Sequence, residues 1–491
     1  MTYRDPRGYA ADAPLFAAWL RFTDAVQAGE VQPMSIPGHK HRSDLVGDLI
    51  QGDVPMLAGL DTMKQDHNRL ADAEARAARA WGTDWCRISV GGSTHANQAI
   101  VLALGRPGQT VIVSRTLHRS VLLGIVLAGL RPVWVTPTID AVTGLPGAVP
   151  ASAVRSAVAE NPDACAVLIG DPSYVGTLSN IEELADAAHE AGVPLVVDAA
   201  WAAYFGFSAS VPQHALARGA DALVTSAHKS LPAWSQGALL LARTTASGGY
   251  LDADRLERAF DATHTTSVAG VIIASVDASR AMLERDGEAL ISEVVDLVSR
   301  ARSRLLSVEG IEVLTGRAYG DDDGEFAVDP AKLVVLLAGT GAHGHAIERD
   351  LNAHGMTLEM ADRDVLVPMI TVADSVETVD RFLDELIVSI ERHRGEPRKI
   401  TASAAWSVRA EQAMDPRDAF FAAHETVSSD ATTGRVCAEL IAPYPPGVPV
   451  LAPGETVTAE ALGALRAALA DGGRIAYAAD PTLATVQVVR S

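Results

Sequence analysis

Lys229 stands in "ADALVTSAHKS", directly behind a run of apolar residues, with Ser226 three positions and His228 one position before it. A lysine amine that is partly desolvated at the end of a buried strand gives up its proton and can attack a carbonyl to form a Schiff base. Asp198 ends another apolar run, "VPLVVDAAW", 31 residues earlier. That separation is about one strand, helix, strand unit, which would bring carboxylate and amine to one rim of a sheet. A carboxylate there is costly to bury unless it meets a cation or hydrogen-bond donors. A third run, "WCRISV", leads into Gly91-Gly92-Ser93-Thr94 and then a helical pattern from His95 through "ANQAIVLAL". Two glycines, two hydroxyls and a helix N-terminus make a cradle for an anion, since the first amides point outward and the helix dipole favours negative charge. His118, behind "QTVIVS", marks a further strand end.

Taken singly, each feature has a plain reading: a solvated loop lysine, a capping aspartate, an ordinary turn with its N-cap, a capping histidine. Their order along one sheet edge selects another. Pyridoxal 5′-phosphate needs a lysine for its aldehyde carbon, a helix N-terminus for its phosphate and a carboxylate to keep its pyridine nitrogen protonated. His118 would stack on the ring.

The elements that must position these residues are legible as seven apolar runs, "WCRISV", "QTVIVS", "RPVWVTP", "ACAVLIG", "VPLVVDAA", "ADALVTS" and "GALLLAR", with helical patterns between most of them. Strands buried on both faces and joined by crossover helices predict an α/β fold with a large, doubly wound, mainly parallel sheet. In such sheets ligands bind at the carboxyl ends of the strands, where all the residues above fall. In "SNIEELADAAHEAG", Ser179 and Glu182 predict a capping box and Gly192 the helix stop. The expected organisation is an N-terminal helical segment (1–34), a major domain (35–275), a smaller α+β domain (276–395) and a C-terminal module (396–491). The acidic "GDDDGEF" at 320–326 reads as a solvated loop, and "RGEPRKITASA" as a linker.

Forty Lys and Arg against 61 Asp and Glu give a formal net charge of −21. That balance argues against sequence-independent binding to nucleic acid or to an anionic membrane surface. No stretch reaches about 18 uncharged apolar residues, and the N-terminus lacks an export signal. Cys86, Cys165 and Cys437 show no paired spacing, which predicts neither a disulfide framework nor a metal site and fits the cytoplasm.

On "SIPGHKHR", "GGSTHANQAI", "RTLHRSV", "DPSYVG", "VVDAAW", "SAHKS" and "GRVCAELIAPYPPGVPVLAPGE" the chain resembles the Orn/Lys/Arg decarboxylases, fold-type I pyridoxal-phosphate enzymes, in the short form without a wing domain. The resemblance implies that Lys229 is the Schiff-base lysine, Asp198 the pyridinium partner and His118 the stacking histidine. It further implies that Ser93 and Thr94 belong to the phosphate loop, and that Ser226 and His228 lie beside the cofactor. Lys229, His228 and Asp198 are the implied catalytic residues. The implied activity is decarboxylation of a small cationic amino acid, arginine, lysine or ornithine, in polyamine biosynthesis, by a homodimer or higher homo-oligomer. Two stretches depart from the family's pattern: Thr266-Ser267-Val268-Ala269-Gly270 stands where T-S-P-S-Y is usual, and Asp53-Val54-Pro55-Met56 where D-x-T-E is common. Fold and lysine are shared across reaction types, so an aminotransferase or Cα lyase is the second reading. A non-catalytic relative that binds a partner is the third, and intact Lys229 and Asp198 count against it.

Overall fold

The computed structural model describes residues 3–56, 59–60, 69–140, 142–316, 326–399, 408, 410–444 and 447–490. Of the expected acidic loop only Phe326 is among them, and of the expected linker only its first six residues. The chain begins with helices α1 (Pro14–Gln27), α2 (Ser43–Val46) and α3 (Arg69–Ala80), then β1 (Trp85–Ser89), α4 (Gly92–Leu104), β2 (Thr110–Ser114) and α5 (Arg119–Ala128). There follow β3 (Arg131–Val135), α6 (Ala151–Glu160), β4 (Ala164–Gly170), β5 (Thr177–Leu178), α7 (Ile181–Glu190), β6 (Leu195–Asp198), β7 (Ala222–Ser226), α8 (Ala227–Ser230) and β8 (Ala238–Ala242). Next come α9 (Ala253–Thr263), the long α10 (Gly270–Leu306), β9 (Glu312–Val313), β10 (Ala327–Val328), β11 (Val335–Leu336), α11 (Gly344–Ala353), β12 (Met360–Ala361) and β13 (Val365–Val367). The last are α12 (Val376–Arg392), α13 (Pro416–Phe421), β14 (His424–Ser428), β15 (Ala442–Tyr444), α14 (Ala459–Ala470), β16 (Arg474–Ala476) and β17 (Thr485–Val489).

Two compact units divide the chain, Met1–Ala103 with Val196–Ile291 and Leu104–Leu195 with Ser292–Ser491. In the first, the strand order is β1-β8-β7-β6. β7 pairs with β6 in parallel, Asp198 opposite Val224, and antiparallel with β8, which is antiparallel to β1. Every residue of β6, β7 and β8 is buried, which is why these runs are continuously apolar rather than alternating. The expected N-terminal helix is α1; its Leu15 N–H donates to Asp277 of α10 at 2.8 Å, and Trp19 Nε1 donates to the Gly52 carbonyl at 2.8 Å.

In the second unit β4, β2 and β3 form a parallel set. A smaller antiparallel sheet of order β12-β13-β11-β9 belongs with α11 and α12. The C-terminal module pairs β14 with β17 and β15 with β16, and its own core gathers Cys437, Ile441, Leu451, Leu465 and Val488. All seven expected strands are present. Among the described residues no helix is long and apolar enough to cross a membrane.

Two local expectations need correction. The cap of α7 is Asn180, whose side chain accepts from Glu183 N–H, one position later than expected. Ser179 is turned inward instead: its Oγ accepts from Val149 N–H at 3.0 Å and its own N–H donates to Asp171. The helix behind the glycine turn begins at Gly92, three residues before His95, because Gly92 adopts φ +69 and redirects the chain at once.

The turn that feeds β7 depends on a buried histidine. His214 Nδ1 accepts from Ala217 N–H at 3.1 Å, so that atom carries no proton. Burial, reinforced by Arg243, lowers its pKa to about 4. An unfolded histidine near 6.5 therefore takes up a proton where the folded one does not, and the associated stability is present above pH 6.5 and lost as pH falls towards 4. The contribution is up to roughly 3 kcal/mol. His214→Asn, which keeps a capping oxygen but cannot titrate, is expected to flatten the fall of the melting temperature between pH 6.5 and 4.5; parallel profiles for the two proteins would remove His214 from the account.

Candidate active site

Strand β7 delivers the lysine. Ser226, its last residue, caps the single turn α8, and Leu231 N–H returns to the Ala227 carbonyl at 2.8 Å, so Lys229 rides on a short rigid helix. His228 is tied back to β8's entry: Nδ1 donates to the Gly237 carbonyl at 3.0 Å. A carbonyl only accepts, so Nδ1 holds a proton and Nε2 is the atom left to take or give one. The Lys229 ammonium lies over the Trp201 indole, 3.9 Å from the ring centre, a cation–π contact.

Strand β6 delivers the carboxylate. Asp198 is 9% exposed. Its two oxygens accept from Asn97 Nδ2 at 2.8 Å and from Ala200 N–H at 3.2 Å. Burial nonetheless raises its pKa, while the charge of Lys229 and the two hydrogen bonds pull the other way. A buried carboxylate in that balance favours one more cationic donor.

The glycine turn closes the third side. Gly91 has no room for a side chain: a Cβ would stand 2.7 Å from that of His95. His95 is buried against Phe260, with Nδ1 2.8 Å from Ser89 Oγ and Nε2 donating to the Phe260 carbonyl at 3.1 Å. It holds the turn in place. Ser93, on the first turn of α4, meets Ser226 hydroxyl to hydroxyl at 2.5 Å, and Thr94 is exposed on the same turn. The first amides of a helix have no intrahelical acceptor, so this end supplies donors for an anion.

Within one unit, then, Ser93, Thr94, Asp198, Ser226, His228 and Lys229 come from strand ends β1, β6 and β7. His118 belongs to the other unit, where it caps α5; Nδ1 accepts from Ser120 N–H at 3.2 Å, which leaves the proton on Nε2. Sequence reasoning missed Asn97 and Trp201. Asn97 lies four residues beyond Ser93 and Trp201 three beyond Asp198. Asn97 stands among other polar residues in the first turns of α4, His95 and Gln98 beside it, so nothing along the chain singles it out.

The two stretches that depart from the family's pattern pack on each other. A Cβ on Gly270 would stand 2.9 Å from the Val54 carbonyl and 2.6 Å from Leu60. Asp53 pairs with His39 Nε2 at 3.1 Å. The close approach of the residue 54 backbone thus leaves no room for a side chain at 270 in this chain.

The residues present fit pyridoxal 5′-phosphate: a desolvated carboxylate that favours a cationic donor, a helix N-terminus with two facing hydroxyls, and an amine held on a rigid turn.

The model of the Orn/Lys/Arg decarboxylase major domain matches residues 27–377, and that of the corresponding C-terminal domain matches residues 399–469. Arginine decarboxylase of Bacillus subtilis is 29% identical over 93% of this chain and 94% of that protein. Lysine decarboxylase LdcA of Pseudomonas aeruginosa is 26% identical over 82% of this chain and 67% of that protein. Among solved structures, Francisella novicida lysine decarboxylase LdcF superposes with a TM-score of 0.80 at 20% identity, covering 97% of this chain and 81% of that one. A serine palmitoyltransferase of Sphingomonas wittichii, at TM-score 0.51 and 15% identity, covers 66% of this chain and 76% of its own. The fold is thus the expected α/β one.

Asn97→Ala removes one donor from a buried carboxylate, a loss of about 1.5–3 kcal/mol for an ionised acceptor. Asp198 is then harder to ionise, and the acid limb of turnover is expected to move up by about one to two pH units. A limb that stays in place would show that Asn97 does not govern Asp198.

Proposed function

The chain belongs to the Orn/Lys/Arg decarboxylase family, and on that premise we propose that it removes the carboxylate of a basic L-amino acid as CO2 with the help of pyridoxal 5′-phosphate. The observation that carries the reading is the placement of Asp198 at the end of β6 and of Lys229 on α8, directly behind the adjacent parallel strand β7, with Trp201 under the amine. Lys229 would hold the cofactor covalently, Asp198 its ring nitrogen, and Ser93, Thr94 and Ser226 with the first turn of α4 its phosphate. His118 would cover the ring. Bound there, the group supplies an electron-accepting ring that stabilises negative charge at Cα once the carboxylate has left.

What the chain's own residues do follows from their surroundings. Burial raises the pKa of Asp198 while the charge of Lys229, Asn97 and the Ala200 N–H lower it, and a protonated ring nitrogen beside it would favour its charged form. Its removal from water strengthens that pairing. Trp201 fixes the Lys229 amine over its face and limits where the amine can swing. His228 Nε2 and the Lys229 amine are candidates for the group that returns a proton to Cα.

Arginine is the first substrate to try, because the relatives matched over more than nine-tenths of this chain's length at 27–29% identity are arginine decarboxylases. Lysine and ornithine follow. A homodimer or larger homo-oligomer in the cytoplasm, with its three cysteines outside any disulfide, completes the proposal.

Incubation with each of the three amino acids should release CO2 and the matching amine, one substrate exceeding the others; a keto acid without CO2 would instead mean amino transfer. Lys229→Ala is expected to lower turnover by at least about a thousandfold and to abolish the visible absorbance of the lysine-bound cofactor, and a variant that keeps both would overturn the assignment.

A further inference from the structure

The glycine turn behind β1 and the single turn α8 behind β7 flank β8, which runs antiparallel to both strands. Ala238, the first residue of β8, is paired with Ser89 at the end of β1 and with Ser226 at the end of β7. The chain therefore enters β8 at the rim where those two strands end, through residues 234–237. Consecutive carbonyls of this turn hold its two neighbours. The Gln236 carbonyl accepts from Gly92 N–H at 2.9 Å. The Gly237 carbonyl accepts from His228 Nδ1 at 3.0 Å and from His228 N–H at 3.4 Å. Gly92 N–H is the first amide of α4, and His95 N–H reaches back to the Gly91 carbonyl at 3.3 Å. Among the described residues, the Ser93 and Thr94 amides are the two of that first turn left without an acceptor. Fixing Gly92 fixes where those two point.

Contacts with α10 keep the two carbonyls in register. Gly237 N–H closes the turn on the Trp234 carbonyl at 3.0 Å, and Trp234 N–H donates to Ser275 Oγ of α10 at 3.0 Å. A Cβ on Gly237 would stand 2.7 Å from Val276 Cγ2, also on α10. Gln236 has φ +75, a left-handed conformation uncommon for a residue with a side chain. It is exposed, and its backbone makes the contact with Gly92. We propose that residues 234–237 are a backbone bridge coupling the two halves of the site: Gln236 and Gly237 together set the direction of the Ser93 and Thr94 amides and the orientation of His228 beside Lys229. This rests on the assignment of the glycine turn and Lys229 to the cofactor. The two carbonyls belong to successive peptide groups, each rigid, so a change of φ at Gln236 displaces both.

The test varies Gln236 by backbone tolerance rather than by side-chain chemistry, since glycine and asparagine accept a positive φ and a β-branched residue resists it. Full-length protein freed of cofactor is titrated with pyridoxal 5′-phosphate and with pyridoxal, which lacks the phosphate, by the visible absorbance of the lysine-bound form. Turnover at saturating pyridoxal 5′-phosphate is measured alongside. Gln236→Val should lower the preference for pyridoxal 5′-phosphate over pyridoxal at least about tenfold, the value of one hydrogen bond to a charged group. Its turnover should fall roughly threefold or more as His228 shifts. Gln236→Gly and Gln236→Asn should keep the wild-type preference and turnover. A Gln236→Val protein whose preference is unchanged, or effects that do not follow tolerance of a positive φ, would overturn the bridge. So would a weakened preference at wild-type turnover, because the two turns would then be independent. A wild-type protein that binds pyridoxal as tightly as pyridoxal 5′-phosphate would instead overturn the assignment of the glycine turn to the phosphate, and the bridge with it.

Discussion

Asp198 closes strand β6 with nine-tenths of its surface removed from water, and burial works against its charge. Nearly everything placed around it in the first unit answers that cost. Asn97 reaches it from one helical turn inside α4, Ala200 N–H from the turn that follows the strand, and Lys229 adds its charge from α8, behind the neighbouring strand. A hydrophobic residue at this position would suit the core better. A carboxylate stands there instead, and the parallel pairing of β6 and β7 brings a lysine, just behind β7, to the same edge.

The second unit meets a comparable difficulty with Arg115 and Glu455. Taking both charges from water is expensive, and removing one partner of such a pair costs about 3–5 kcal/mol. The two terminal nitrogens of the guanidinium meet two carboxylate oxygens and the Val450 carbonyl, and its face lies on Trp134, 4.7 Å from the ring centre, while its buried Nε has no acceptor among the described residues. An apolar contact would have joined the C-terminal module to the β2–α5 connection without fixing its register. A bidentate ion pair permits one geometry, and α5 starts from it.

Much of the fold was legible because the strands are buried on both faces. Each of the seven apolar runs is a strand, and the site residues identified from them lie at the strand ends. The two local errors differ in cause: a hydrogen bond over a long distance in sequence overruled a local signal in one, and a glycine's backbone conformation decided the other. Ser179 looked like a cap but is engaged by Val149, thirty residues away, so Asn180 took the role. Gly92, with its left-handed backbone, started α4 early. Trp201 and Asn97 escaped notice because nothing in their neighbours along the chain marks an aromatic or an amide for service to another strand's lysine or aspartate.

The sequence by itself determined the chemistry on offer: an amine, a carboxylate, a glycine turn with hydroxyls and a histidine, each directly behind an apolar run, and the family to which their spacing belongs. That much follows from residue type and period alone, since strands buried on both faces must be apolar throughout and polar residues can stand only at their ends. Tertiary structure decided which of these groups meet. It set Lys229 over Trp201, Asn97 on Asp198, Ser93 against Ser226, and Glu455 on Arg115, 340 residues apart. Hydrogen bonds and ion pairs depend on distances of a few ångströms between side chains, and only the folded register of strands and helices specifies those distances.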